Sequence, residues 1–340
     1  MRIFAKYTLL YIIFVLFLGC QSSSSSSRKP MSWGHKQDIF IFADDDVWNQ
    51  NKDLLYRSLE RFVFTTENEK VFLIKHVNID SLEQYYKFNN ILFLASLNSA
   101  KPVAEYVKDI TGDSVQNELE QNSAGIFPKN NLWANDQFVL FVLADSNENL
   151  KTVHESQANR IFELFNNRLK RRVSKQVFKQ KLYPDSEFKM QSWKANIPQN
   201  YMIYKNHRAN NFKSYLGRLR NKSDRYFSVY HEKMEENIVS IEWLEEKRAE
   251  LAWKYYDEDE FSKSDIRKEK SKIAKRECVK ISGRWQNKKH VVGGAFQTYA
   301  FYDEESQTAF LIDNSLYFPE GYKLASLMEL EALSNSIKIK

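Results

Sequence analysis

Gln137-Phe138-Val139-Leu140-Phe141-Val142-Leu143-Ala144 decides how the first half of this chain folds. The run is uncharged, rich in β-branched and aromatic residues and apolar at every position after the first, which is the pattern of a strand buried on both faces. Such a strand needs helices over both faces, and the flanking sequence provides them. Downstream, Ile161, Phe165, Leu169, Val173 and Val177 recur every fourth residue while Arg168, Arg172, Lys175 and Lys179 line another face, predicting one long helix from about Glu148 to Lys181. Upstream, Asp38–Ala43 (DIFIFA) reads as a second buried strand, and Asp44-Asp45-Asp46 supplies turn and N-cap chemistry for a helix over about Val47–Phe62. Val71–Val77 and Asn90–Ala95 are further strands. Ser81–Lys87 and Lys101–Ile110 are helical, and Gln121–Asp136 reads as a loop. Strand and helix alternate, so the expected unit is a sheet with helical crossovers.

The second half has a different rhythm. Strand-like stretches around Phe188–Trp193, Tyr201–Tyr204, Phe212–Leu219 and Arg225–His231 lead into an amphipathic helix over Val239–Tyr256. Asp257–Lys275, acidic and then basic, reads as a solvated loop or frayed helix. Period-two strands follow at Cys278–Gln286, Ala295–Asp303 and Thr308–Phe318, with Asp303-Glu304-Glu305-Ser306 turning between the last two, and a closing helix runs from Gly321 to about Ile337. The expected fold class is therefore mixed α/β and α+β in two sub-domains, the first alternating strand and helix, the second an antiparallel sheet with two helices. The expected division is 1–19 export signal, 20–34 tether, 35–183 first domain and 184–340 second domain.

The signal is read from charge layout. Arg2 and Lys6 precede an uncharged run from Tyr7 to Leu18, too short to span a bilayer, and the run stops at Phe17-Leu18-Gly19-Cys20. That tetrapeptide resembles the lipobox of bacterial lipoproteins, which implies a Cys20 thiol carrying diacylglycerol and a chain held at a membrane. Gln21 and the serines Ser22–Ser27 form a polar tether with nothing to bury. Gln21 is not the Asp that retains such proteins in the inner membrane, and no acidic display signal follows, so the expected location is the cell envelope, on the periplasmic face of the outer membrane.

Composition narrows the chemistry. Loss of Arg2 and Lys6 with the signal lowers the formal charge from +6 to +4, mild for this length, so no nucleic-acid partner is expected. With Cys20 lipidated, Cys278 has no disulfide partner and reads as a small buried residue in a strand. His154-Glu155 begins a zinc-protease motif but Ala158 stands where the second imidazole is required, and the other histidines have no metal-ligand spacing. No phosphate loop, dinucleotide fingerprint or nucleophile elbow occurs, so neither a cofactor nor a metal is expected. Asp44, Asp45 and Asp46 at a strand end suit capping and turn formation, with a divalent cation as the alternative. The basic stripe Arg168, Arg171, Arg172 and Lys175 reads as a solvated helix face, with anionic lipid or polysaccharide as the alternative.

One constellation points to binding. Gly283-Arg284-Trp285 and Val292-Gly293-Gly294-Ala295-Phe296 bracket a basic loop with Lys288, Lys289 and His290. Paired glycines permit positive φ or close backbone approach, and an Arg beside a Trp suits stacking on a sugar or an aromatic group, with a tight hairpin and its packing as the alternative reading. Arg284, Trp285, Gly293 and Gly294 are the candidate site residues.

With these pieces in hand, the chain resembles a family of Bacteroidota lipoproteins, domain of unknown function 4837. The resemblance rests on Asp44-Asp45 with Trp48, Trp133-Ala134-Asn135-Asp136-Gln137, Pro198-Gln199-Asn200-Tyr201, Gly283-Arg284-Trp285, Val292-Gly293-Gly294-Ala295-Phe296, Tyr317-Phe318-Pro319 and Glu331-Ala332, in order along most of the chain. Val292 and Ala295 depart from the usual Met-Gly-Gly-Pro-Phe, and Asn200 replaces a Gly whose turn an Asn tolerates. The resemblance implies location and architecture but no activity. The expected function is a non-enzymatic envelope binding or assembly module with an envelope protein or glycan as partner. The alternative is a periplasmic hydrolase or glycan-processing enzyme using dispersed carboxylates, with Asp44 and Asp257–Glu260 as first suspects.

Overall fold

The structure, a computed structural model, describes residues 29–218 and 223–340. Cys20, the export signal and most of the tether lie outside the described residues, as does Leu219 at the end of one expected strand.

The first sub-domain opens with β1 (Asp38–Phe42), α1 (Asp45–Leu59), a hairpin of β2 (Phe62–Phe64) and β3 (Asn68–Lys70), β4 (Leu73–Val77), the short α2 (Leu82–Tyr85) and β5 (Asn90–Ser96). Next come α3 (Pro102–Thr111), α4 (Asp113–Asn122), β6 (Ala124–Asn130), β7 (Phe138–Ala144) and the 31-residue α5 (Asn147–Val177). The sheet order is β4-β1-β5-β7-β6, with the first four strands parallel and β6 antiparallel at the edge. All seven residues of β5 and all seven of β7 are buried, because α1 and α5 cover one face and α3 and α4 the other.

The second sub-domain contains β8 (Trp193–Lys194), β9 (Tyr201–His207), β10 (Phe212–Gly217), β11 (Asp224–Lys233), α6 (Ile241–Tyr255) and β12 (Ile266–Ile273). It closes with β13 (Arg276–Asn287), β14 (Val292–Asp303), β15 (Thr308–Tyr317), α7 (Leu324–Asn335) and β16 (Lys338–Ile339). Seven strands form an antiparallel sheet in the order β12-β13-β14-β15-β11-β10-β9. Side chains alternate across it: Phe227, Tyr299, Phe310 and Ile312 face α7, whereas Ile281, Trp285, Phe296 and Leu311 face α6. The architecture is mixed α/β and α+β in two sub-domains, as the periodicity predicts.

One apolar core joins the two. It runs from Ile39, Leu92 and Leu140 through Phe165 and Leu169 of α5 to Leu330 of α7 and Ile312 of β15. Glu69 of β3 adds a polar clasp, its buried carboxylate accepting from Lys323 N at 2.7 Å and Leu324 N at 2.9 Å at the start of α7. A carboxylate on the exposed N–H groups of a helix start is favourable for both dipole and hydrogen bonding.

Several local expectations are corrected. Gln121–Asp136 is not a loop: α4 extends to Asn122 and Ala124–Asn130 pairs with β7 as an edge strand. Its Gly, Pro and Lys disguise it, and an edge position tolerates all three. Asp257–Lys275 likewise hides β12, whose alternating charges suit the exposed edge of a sheet. Phe188–Trp193 is a 3-10 turn over Asp185–Phe188 followed by the two residues of β8. Asn200 stays out of the left-handed region, the turn closing by Tyr201 N to Pro198 O at 3.0 Å.

The basic stripe on α5 is only half a solvated face: Arg171 and Lys175 are exposed, whereas Arg168 and Arg172 turn inward. Arg172 is buried and donates to Asn90 Oδ1 (2.6 Å), Asn89 O (2.7 Å) and Asp136 O (2.7 Å), and Arg168 pairs with Asp136 at 2.9 Å. Burial lowers the Arg172 pKa to about 10. Gln137 joins the same knot, donating to Tyr86 O at 2.6 Å while accepting from Trp133 N at 3.0 Å. The Trp133–Gln137 motif thus ties the entrance of the central strand to the long helix.

Candidate functional site

The β13–β14 hairpin and the helix above it build the site. Strand register sets Trp285 opposite Gly294 and Gln286 opposite Gly293. Arg284 is exposed and Trp285 buried, the alternation of a strand, so the two do not form a joint stacking platform. Neither glycine has positive φ; that conformation falls instead on Val291, at φ 53°, in the turn. The glycines serve close approach. A Cβ on Gly294 would lie 1.9 Å from Leu316 O and 2.8 Å from Trp285 Nε1, because the indole crosses Gly294 to donate to Leu316 O at 3.1 Å. A Cβ on Gly293 would lie 2.7 Å from Trp285 O.

Arg284, Trp285, Gly293 and Gly294 line one cleft of about 410 Å³, together with Asp265, Phe261 and Thr66, the last contributed by the first sub-domain. Arg284 is already paired there: its Nε donates to Asp265 Oδ2 at 2.9 Å, and its guanidinium lies 5.7 Å from the Phe64 ring. The charge is neutralised and half exposed to water, which leaves little for a ligand to gain.

Behind Trp285 lies a second hollow of about 150 Å³, between α6 and the sheet, where Trp285 meets Asp257 and Asp259 of the acidic run singled out in the sequence, together with residues the sequence did not single out. Its wall is aromatic: Tyr204, Tyr226 and Tyr256 pack together, with ring centroids 5.3 to 6.1 Å apart. Its floor is polar. Arg248 of α6, 3% exposed, donates from Nε to Asp313 Oδ1 and Thr298 Oγ1, both at 3.0 Å, and stacks 3.5 Å from the Phe296 ring centroid. Asp313 also accepts from Ser315 Oγ at 2.7 Å and from Thr298 Oγ1. The buried Arg248 Nη1 has no hydrogen-bond partner. Tyr256 OH meets Ser214 Oγ at 3.0 Å and also bonds Ser228, and burial pushes its phenol up.

The rim comes from the segment after α6. Asp257 and Glu258 are consecutive left-handed residues, at φ 51° and 74°, a costly geometry that turns the chain back over the cavity. Asp259 then accepts from Asn287 Nδ2 at 2.7 Å. Burial raises the Asp259 pKa to about 6, against the lowering by Asn287 and Arg248. A legible signal existed in the strands: Thr298, Asp313, Ser315, Ser214 and Ser228 occupy the positions of period-two strands that face the covering helix, where apolar residues are the rule.

The remaining candidates are structural. Asp44 does not cap its own helix; Oδ1 accepts from Val103 N at 3.1 Å, at the start of α3. Asp46 is paired with Lys101 at 2.7 Å and accepts from Asn147 at 3.0 Å, and Lys101 lowers its pKa. Asp45 is exposed. Among the described residues no cluster of three metal-ligating side chains occurs. His154 is fully buried between α1 and α5 near Asn51 and Ser58, at 3.3 and 3.4 Å, and burial pushes its pKa down to about 4. Cys278 is buried and its thiol raised to about 11, the state of an inert packing residue.

The model of the family described as domain of unknown function DUF4837 matches residues 182–336. That match lies in the second half of the chain. Residues 32–178 match a separate domain of unknown function, DUF8532. The Trp285 cleft and the tyrosine-walled cavity both open on the sheet of the DUF4837-matched region, and the β2–β3 hairpin that reaches the Trp285 cleft lies in the DUF8532-matched region. No curated relative matches the chain. A crystal structure from Bacteroides thetaiotaomicron VPI-5482 is 10% identical with TM-score 0.27, the match covering 47% of this chain and 47% of that one. The match thus spans about half the length of that chain. The Saccharomyces cerevisiae Ran-binding protein Mog1p is 8% identical with TM-score 0.31, over 44% of this chain and 90% of that one. Similarities this low carry no argument.

Proposed function

We propose that this chain is a lipid-anchored envelope protein whose DUF4837 domain is a non-enzymatic binding module for a hydroxyl-rich ligand, a sugar ring of an envelope glycan. The observation that carries the reading is the cavity behind Trp285. Aromatic faces on one side and fixed, ionised or amide groups on the other are what a sugar needs, apolar C–H patches meeting rings and hydroxyls meeting Asp259, Asn287 and Arg248 Nη1. Anchoring rests on the Phe17–Cys20 tetrapeptide and the serine tether. Among the described residues no helix is long and apolar enough to cross a membrane.

The test is calorimetric titration of the full chain with glucose, N-acetylglucosamine and glucuronate, beside a pull-down from detergent-solubilised envelopes. A saturable heat with one of them, lost in Tyr256→Ala, is expected. Absence of heat with all three and an empty pull-down would end the proposal.

Asp259, with its pKa raised to about 6, is the one observation favouring the alternative of a glycan-processing enzyme, since a general acid needs such a value. Glycoside hydrolysis takes two working carboxyls; Asp257, the other acid lining the cavity, is exposed on its rim, and Asp313 beneath the floor is committed to Arg248, Thr298 and Ser315. Binding is the better reading. Turnover of nitrophenyl glycosides that disappears in Asp259→Asn would reverse that order.

A further inference from the structure

We infer that the end of the first sub-domain from which Lys29 emerges lies on the bilayer, with Met31, Trp33, Phe62, Leu73 and Tyr322 in contact with lipid. The proposal rests on the anchored reading of Cys20. Each of these side chains is large, apolar and strongly exposed: 62% for Met31, 57% for Trp33, 54% for Phe62, 45% for Leu73 and 84% for Tyr322. They are not scattered. Trp33 packs on Phe88 at 4.5 Å, Phe88 on Phe40 at 4.5 Å, and the Lys75 ammonium stands 5.4 Å above Phe40. Lys75 then lines one hollow of about 500 Å³ with Leu73, Phe62 and Tyr322. Both sub-domains contribute to this patch, Tyr322 from the second and the rest from the first, and an exposed apolar patch shared in this way marks an interaction surface.

The position of the chain decides the occupant. Met31 bridges to Asn135 and Trp33 to Phe88, just ahead of β7 and β5, so the chain enters at the end where the parallel strands begin. Cys20 lies nine residues before Lys29, a reach of at most about 30 Å when fully extended. An acyl chain on Cys20 therefore holds this end nearest the membrane. Trp and Tyr are the side chains that partition to the lipid headgroup region, with an apolar ring and a polar edge. Lys29 and Lys87 stand beside them, Lys29 Nζ donating to Asn131 O at 2.7 Å and Lys87 Nζ lying 4.8 Å from the Tyr86 ring, and cations here favour an anionic surface.

The full chain, mixed with phosphatidylethanolamine and phosphatidylglycerol vesicles whose acyl chains are brominated, gives two separate readouts. Flotation reports the anchor, and bromine quenching of tryptophan reports the face. The expected result is a floating chain whose quenching falls by more than half in Trp33→Phe and is unchanged in Trp253→Phe, an equally exposed tryptophan on α6. Tyr322→Ser should also weaken quenching without touching the Trp33 packing. Flotation with quenching insensitive to Trp33→Phe overturns the face and leaves the anchor standing. A chain that does not float, yet is quenched through Trp33 at high lipid, overturns the anchor and keeps the face. Neither flotation nor quenching overturns both.

Discussion

Gly294 is the residue on which the cavity depends most directly. The Trp285 indole reaches Leu316 O only because nothing projects from Gly294, so a single methyl there must push either the indole or the β15 backbone aside. Gly294→Ala should cost about 1–3 kcal/mol, the usual range for overpacking a tight core. Urea unfolding measures the loss, and a shift of tryptophan emission would report the displaced ring; an unchanged midpoint and spectrum would show that the approach is not constraining. Asp259 offers a second test at this scale. Its carboxyl, with pKa about 6, accepts hydroxyl hydrogen bonds more strongly when ionised. Sugar affinity should therefore rise as pH increases through 6 and level off above it, and Asp259→Asn should flatten the profile. His154 adds a stability term of defined sign. Its folded pKa, about 4, lies below the ordinary 6.5, so the folded state resists protonation. Stability from this group is complete above pH 6.5 and falls by about 1.4 kcal/mol per pH unit as pH drops from there toward 4. His154→Gln should remove that slope from unfolding measured between pH 7 and pH 4.5.

At the level of elements, the knot around Arg172 shows what a helix contributes beyond apolar burial. One guanidinium from near the C-terminal end of α5 gathers the carbonyls of Asn89 and Asp136 and the amide of Asn90, which fixes the start of both β5 and β7. Lysine keeps the charge but loses the planar fork. Arg172→Lys should destabilise the fold by about 1.5–3 kcal/mol, the range for hydrogen bonds to a charged group, read by chemical denaturation. The same region shows what a sequence can tell. β1, β5, β7 and α5 were legible because they are uniform: seven buried positions in a row, or a strict fourfold repeat, permit one reading each. β6 and β12 were not, because edge strands carry the Pro, Gly and charges that otherwise mark loops. The site divided in the same manner. Trp285 and its glycines were visible as a local motif and Asp259 within the acidic run Asp257–Glu260, while Arg248 and Asp313 come from separate elements and meet only in space. Asp44 was legible as a cap but not as the cap of a neighbouring helix, since its partner Val103 lies 59 residues away.

At the scale of the whole molecule, the two sub-domains are joined as one folding unit. Their sheets differ in topology and their sequences match two separate families, which by itself would suggest independent domains. The core argues otherwise, passing from β1 through α5 and α7 to β15. Glu69 reinforces the joint: its carboxylate, held by Thr65 Oγ1 at 2.7 Å, satisfies the first N–H groups of a helix more than 250 residues along the chain. If either half unfolded alone, the other would expose one side of this core and leave either a buried carboxylate or a helix start unpaired. The expected thermogram is therefore a single transition whose calorimetric and van't Hoff enthalpies agree. Removing the clasp should weaken the joint without dissolving either core. Glu69→Ala should lower the midpoint, at a cost of about 1–3 kcal/mol for the orphaned N–H groups, and broaden or divide the transition. Two well-separated transitions in the native chain would mean that the shared core is only a contact surface between independent domains, and the clasp a minor ornament upon it.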